Sequence, residues 1–136
     1  MVMAKDIMHE NTLVPGSMSV REVARLMGRK RIGSVLVKTK KGFGILTERD
    51  IINKVLVDGK DSERVRAEEI MTFPVFTIES NTELYEICRI FNENYFRRLP
   101  VVEDGKVVGI LTTRDVVKKF IPQFFKETYH FKDFRF

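Results

Sequence analysis

The stretch Gly44-Ile45-Leu46-Thr47-Glu48-Arg49-Asp50 occurs again as Gly109-Ile110-Leu111-Thr112-Thr113-Arg114-Asp115, six of seven residues identical across a shift of 65. A period that long in a chain of 136 residues means two copies of one structural unit. Whatever Thr47 and Asp50 do is therefore open to being done again by Thr112 and Asp115. Each copy alone, at roughly 65 residues, is marginal for an independent core, so the two are expected to fold as one unit.

Working outward, the copies share an order of elements. Asp6-Ile7-Met8 opens the first and Glu69-Ile70-Met71 the second. An extended piece follows in each, Thr12-Leu13-Val14 and Pro74-Val75-Phe76-Thr77-Ile78. Ser19-Val20-Arg21-Glu22 and Ser80-Asn81-Thr82-Glu83 both match the capping-box pattern of a helix start. The helices bury Val20, Ala24 and Met27 in one copy and Leu84, Ile87, Cys88 and Phe91 in the other, at helical spacing. A hairpin comes next: Ser34–Val37 turning into Phe43–Leu46, and Leu99–Val102 turning at Asp104-Gly105 into Val107–Leu111. A closing helix starts at Thr47 or Thr112. Each copy reads β-α-β-β-α, and the polar segment 58–68 reads as a linker. The division expected is 1–64, 65–121 and a Phe-rich tail, 122–136.

The composition narrows the function. Cys88 is the single cysteine, so there is no intrachain disulfide, and its place on an apolar helical stripe makes it a core residue. His9 and His130 stand alone, without a partner at metal-ligand spacing. No apolar run approaches the roughly 18 residues that cross a bilayer, and the N-terminus lacks a secretory pattern, so a cytoplasmic protein without a membrane partner is expected. No nucleophile–base set, metal cluster or Gly-rich phosphate loop is present, and the chain is not read as an enzyme. The net charge of +5 lies in residues 1–68, with 14 Lys and Arg against 9 Asp and Glu. Arg29, Lys30, Arg31, Lys38, Lys40 and Lys41 form its densest run, which suits either a phosphate-bearing partner or a solvated surface.

An Ile-Met opener, a strand–helix–hairpin–helix order and a Gly-Ile-Leu-Thr-x-x-Asp ending, all doubled, resemble a CBS domain pair (Bateman module) of stand-alone type. The likeness covers residues 5 to about 121. It implies an α+β fold, tandem β-α-β-β-α repeats packed about a pseudo-twofold axis with two clefts between them. It also implies a regulatory role, with an adenosine-containing ligand (AMP, ADP, ATP or S-adenosylmethionine) and a disc-like homodimer that controls another, unidentified protein.

By that resemblance Asp50 and Asp115 hydrogen-bond the ribose hydroxyls, and Thr47 and Thr112 contact phosphate or ribose. The Asp115 site would add Arg98, Ile32, Gly33, Ser34, Leu13 and Val14. The Asp50 site would add Phe73, Pro74, Val75 and Arg97 or Arg98. Ile32-Gly33 is taken as the first-repeat counterpart of Arg97-Arg98, which makes the clefts unequal. The chemistry is sound without the family: a carboxylate offers two acceptor oxygens to adjacent hydroxyls, and a helix N-terminus favours an anion. Thr-x-x-Asp is equally a variant capping box, which needs no ligand. Arg97 and Arg98 are equally an exposed pair at a strand start.

The tail gathers Phe124, Phe125, Phe131, Phe134 and Phe136 with Tyr129, directly after Phe120. It is expected either to cover the module's own flank or to meet a second copy or another protein. Nucleic acid is the lesser expectation, because a repeated stacking platform is missing. The competing readings are a nucleic-acid-associated protein and a structural dimer with vestigial clefts.

Overall fold

The computed structural model describes residues 1–120. The elements run α1 (Ala4–Ile7), β1 (Leu13–Pro15), α2 (Val20–Lys30), β2 (Ser34–Thr39), β3 (Gly42–Thr47) and α3 (Glu48–Ile51), the last continuing as a π-helical turn over Ile52–Leu56. They continue with α4 (Ala67–Ile70), β4 (Ile78–Glu79), α5 (Leu84–Glu93), β5 (Arg98–Glu103), β6 (Lys106–Thr112) and α6 (Thr113–Phe120). The tail expected at 122–136 lies outside the described residues.

Two three-stranded sheets result, ordered β1-β2-β3 and β4-β5-β6. In each, the first strand is parallel to the second and the second antiparallel to the third. This is the doubled strand–helix–hairpin order of the sequence. Asp104 and Gly105, both with positive φ, make the second hairpin turn.

The compact units do not coincide with the sequence repeats. One unit is Thr12–Val75; the other joins Met1–Asn11 to residues 76–120. Each Ile-Met opener therefore belongs with the hairpin of the other repeat. In the first unit Thr72 exchanges both backbone hydrogen bonds with Ile45; in the second His9 does so with Ile110. Asp6 and Glu69 begin the two opener helices alike, their carboxylates accepting from the backbone N–H of Met3 and of Arg66. The N-terminal segment is held further by Ala4 N–H to Thr82 O, at 2.8 Å, and Lys5 N–H to Ser80 O, at 3.0 Å.

Each unit has its own core. Val14, Val20, Val23, Met27, Val35, Val37, Leu46, Val55, Ala67 and Ile70 form one. Ala4, Ile78, Ile87, Ile90, Leu99, Val101, Leu111 and Val116 form the other, and Cys88 packs against it partly buried. The alternation expected of half-buried strands is broken in β2, where Val35, Leu36 and Val37 are all buried. A strand covered on both faces reads as a continuous apolar run.

Two local expectations need correction. The segment from Pro74 to Ile78 is a strand only at Ile78–Glu79. Ser80 does not cap α5: Glu83 stands at the N-cap, and the Ser80 hydroxyl turns to Glu103 at 2.7 Å. Ser19 does cap α2, accepting from the Glu22 N–H. The stretch 58–68 joins the two repeats and is itself tied down. Val20 N–H bonds to Val65 O, Arg21 N–H to Ser62 O and Ala67 N–H to Met18 O, and Ala67 is wholly buried. Its polar composition concealed these backbone bonds, which need no particular side chain.

Candidate functional site

The two Thr-x-x-Asp sequences form matching corners at the ends of β3 and β6. Thr47 leaves the strand in an extended conformation and becomes the N-cap of α3. Its hydroxyl accepts from Asp50 N–H at 3.3 Å, and Asp50 Oδ2 accepts from the Thr47 N–H at 2.8 Å and its hydroxyl at 3.1 Å. In the second unit Asp115 Oδ2 accepts from the Thr112 N–H at 2.8 Å and hydroxyl at 3.0 Å, and Thr112 Oγ1 accepts from Asp115 N–H at 3.2 Å. The reciprocal bonding is a capping box, and it fixes both carboxylates in place. Their side chains are only 14% and 13% exposed.

The third partner of each carboxylate differs. Lys54, one turn along, reaches Asp50 Oδ1 at 3.0 Å. His9 Nδ1 lies 2.9 Å from Asp115 Oδ2. Burial opposes the charge on Asp115, but hydrogen bonds from His9 and Thr112 and the nearby imidazole outweigh it, and the carboxyl sits below the usual carboxylate range. Neither Lys54 nor His9 was picked out from the sequence. Lys54 carried a signal, four residues after an Asp on a helix. His9 carried none, standing 106 residues from its partner.

Within the first unit, Ser34 pairs with Thr47 across β2 and β3, and Gly33 O accepts from the Glu48 N–H at 3.1 Å. Gly33 and Ser34 are thus brought to the Asp50 corner, with Ile32 preceding them against the core. Within the second unit Arg98 pairs with Thr112, and Arg97 O accepts from the Thr113 N–H at 3.1 Å. The counterparts of Arg97-Arg98 are therefore Gly33-Ser34, one residue later than the pairing taken from the sequence. A bulge between Val101 and Val102 absorbs the extra residue in the second hairpin.

Leu13, Val14, Phe73, Pro74 and Val75 all belong to the first unit. Val14 is buried in the core of its unit, while Leu13 beside it is half-exposed. The Phe73 ring sits over the Gly42 turn, 3.5 Å from where a Cβ would be. That is the far end of β3 from Thr47, on the order of 17 Å along the strand. Pro74 follows through a cis peptide bond and is exposed, and Val75 is half-buried.

The basic run is also divided. Arg29, Lys30 and Arg31 close α2 before β2 begins, while Lys38, Lys40 and Lys41 lie where β2 ends. About five residues of strand, roughly 17 Å, separate the clusters. Among the described residues no group of three His, Cys, Asp or Glu gathers to hold a metal ion, and no helix is long and apolar enough to cross a membrane.

A doubled β-α-β-β-α chain with a capped carboxylate at each strand-to-helix corner defines a tandem-repeat module of the CBS type. The CBS domain model matches residues 4–57 and 67–121, and the chain belongs to that family. Uncharacterized protein MK0525 of Methanopyrus kandleri is 40% identical over 100 residues, 71% of this chain and 51% of that protein. The chain thus spans about half the length of that relative. The hexameric CBS-CP12 protein from bloom-forming cyanobacteria superposes with a TM-score of 0.79 at 28% identity, over 95% of this chain and 72% of that one. CBSX2, solved in complex with AMP, gives a TM-score of 0.76 at 25% identity, over 90% of this chain and 98% of that one.

Proposed function

We propose that the chain is a regulatory module that captures an adenosine-containing ligand at its Thr-x-x-Asp corners and thereby controls another protein. The observation that carries this reading is the doubled corner: a carboxylate held nearly buried and in fixed orientation at the end of a strand, in both units. Two adjacent ribose hydroxyls fit the acceptors of such a group, and its rigidity lowers the entropic cost of binding. The complex of CBSX2 with AMP supports the ligand class. Arg97 and Arg98 give the Asp115 corner a cationic edge suited to a phosphorylated ligand, where the Asp50 corner has Gly33 and Ser34. Ile32, Leu13, Val14, Phe73, Pro74 and Val75 remain proposed ligand neighbours of lower rank.

In this role the module is not catalytic, works in the cytoplasm, and pairs with a second copy. The hexameric state of the CBS-CP12 protein supports self-association of this fold. Ligand bias toward one form of the protein implies equal bias of the partner toward ligand.

Calorimetric titration with AMP, ATP and S-adenosylmethionine tests the reading. Saturable micromolar binding of at least one is expected, lost in the D50N/D115N double variant. Asn keeps an acceptor for the Thr N–H, so the caps survive the change. Absence of heat with all three ligands, from protein freed of co-purified nucleotide, would leave the corners as caps alone.

A further inference from the structure

Asp115 Oδ2 receives three donors at once: the Thr112 N–H at 2.8 Å, the Thr112 hydroxyl at 3.0 Å and His9 Nδ1 at 2.9 Å. A carboxylate has about four lone-pair sites over its two oxygens, so one oxygen is filled by two donors and crowded by a third. At Asp50 the load is spread, with the two Thr47 bonds on Oδ2 and Lys54 on Oδ1.

The two side-chain partners also differ in how they are held. Lys54 is a long, half-exposed side chain on a flexible four-carbon stem, and its Nζ also donates to Ile70 O at 2.8 Å. His9 is short and pinned by its backbone. Its N–H and C=O both pair with Ile110 at 2.9 Å, and the preceding Met8 lies against Gly109. The imidazole cannot leave Asp115 by a change far along a flexible stem. It must rotate out, or the N-terminal segment must shift.

We propose that His9 is a specificity-determining residue of the Asp115 corner: it competes inside the molecule for the acceptor that a ribose diol needs, and so sets that corner's affinity. This rests on the reading of the corners as ribose sites. For adenosine, which has no phosphate for Arg97 and Arg98 to hold, the Asp50 corner then fills first. A diol that takes Asp115 Oδ2 turns the half-exposed His9 imidazole out or shifts the N-terminal segment that carries it.

The test uses the full chain with D50N as background, leaving one corner, and adenosine as the probe. Adenosine has the diol without phosphate, so any charge on His9 adds no attraction. Adding His9→Ala should tighten adenosine binding at least threefold. Adding His9→Gln, which keeps a neutral donor, should fall between the two. Unchanged or weaker binding in the His9→Ala protein would overturn the proposal, while loss of binding with D115N in the same background would still uphold the ribose reading. No binding of adenosine or AMP by the wild-type chain and every variant would overturn both. NMR titration of the Asp115 carboxyl gives a readout free of ligand. Its midpoint should rise on His9→Ala, and an unmoved midpoint would show that the pair does not act on Asp115 in solution.

Discussion

Met71 occupies the space that a side chain on Gly44 would need: a Cβ there would lie 2.5 Å from the Met71 sulfur and 2.7 Å from the Thr72 carbonyl oxygen. Met8 stands in the same relation to Gly109, at 2.6 Å, with the His9 carbonyl oxygen at 3.0 Å. The glycine of the repeated ending is thus matched to the methionine of the opener, across the exchange of segments. Both G44A and G109A should lower stability, by about 1–3 kcal/mol, through forced displacement of backbone. Gly28 is the control. It lies inside α2 with nothing within 4 Å of where a Cβ would be, so G28A should stabilise by about 0.5–1 kcal/mol. Urea denaturation of the three variants decides the matter.

Periodicity and turn chemistry are local signals, and the elements they mark are present: the amphipathic α2 and α5, both hairpins and the helices after Thr47 and Thr112. The exchange of the openers was not legible, because Ile7-Met8 precedes the first strand and nothing local says which hairpin it pairs with. A pointer existed in Gly44 and Gly109, since a glycine inside a strand marks close backbone approach. The corners were legible as Thr-x-x-Asp, with their capping and binding readings both open. Their side-chain partners were not both legible: Lys54 sits at helical spacing from Asp50, whereas the His9 contact exists only once the chain is folded.

Acid should expose the Asp115 network. Its carboxyl is held below the ordinary range, with burial opposing the charge and the His9 and Thr112 bonds prevailing. A group whose folded pKa is depressed contributes stability above its unfolded value, about 3.9 for Asp, and loses it as pH falls through the folded value. Urea midpoints taken from pH 6 to pH 2 should therefore fall more steeply below about pH 4 in the wild type than in D115N. Parallel curves would show that Asp115 is not held low.

The edge residues at equivalent register positions, Ser34 and Arg98, should separate the corners by ligand charge. Replacing Arg97 and Arg98 together by Ala should weaken AMP binding roughly tenfold or more while changing adenosine affinity little, since a charge-assisted bond to phosphate is worth about 1.5–3 kcal/mol. Equal losses for the two ligands would place the arginines away from the phosphate.

Removing residues 1–9 should unfold more than an N-terminal extension would. Ala4 is wholly buried in the second unit's core, and the segment supplies backbone bonds to Ser80, Thr82 and Ile110 as well as the His9 contact. Truncation strips β6 of an edge partner and opens the core beside Ile87 and Leu111. The amides of residues 76–120 should then lose protection from hydrogen exchange by tenfold or more, while those of residues 12–75, whose core contains none of the deleted residues, keep theirs. Replacing Ala4 alone by Asp, a charge placed where no solvent reaches, should produce the same asymmetry without shortening the chain. Uniform loss of protection across both segments would mean that the units unfold together, and protection unchanged in both would mean that the N-terminal segment is not bound to the second unit in solution.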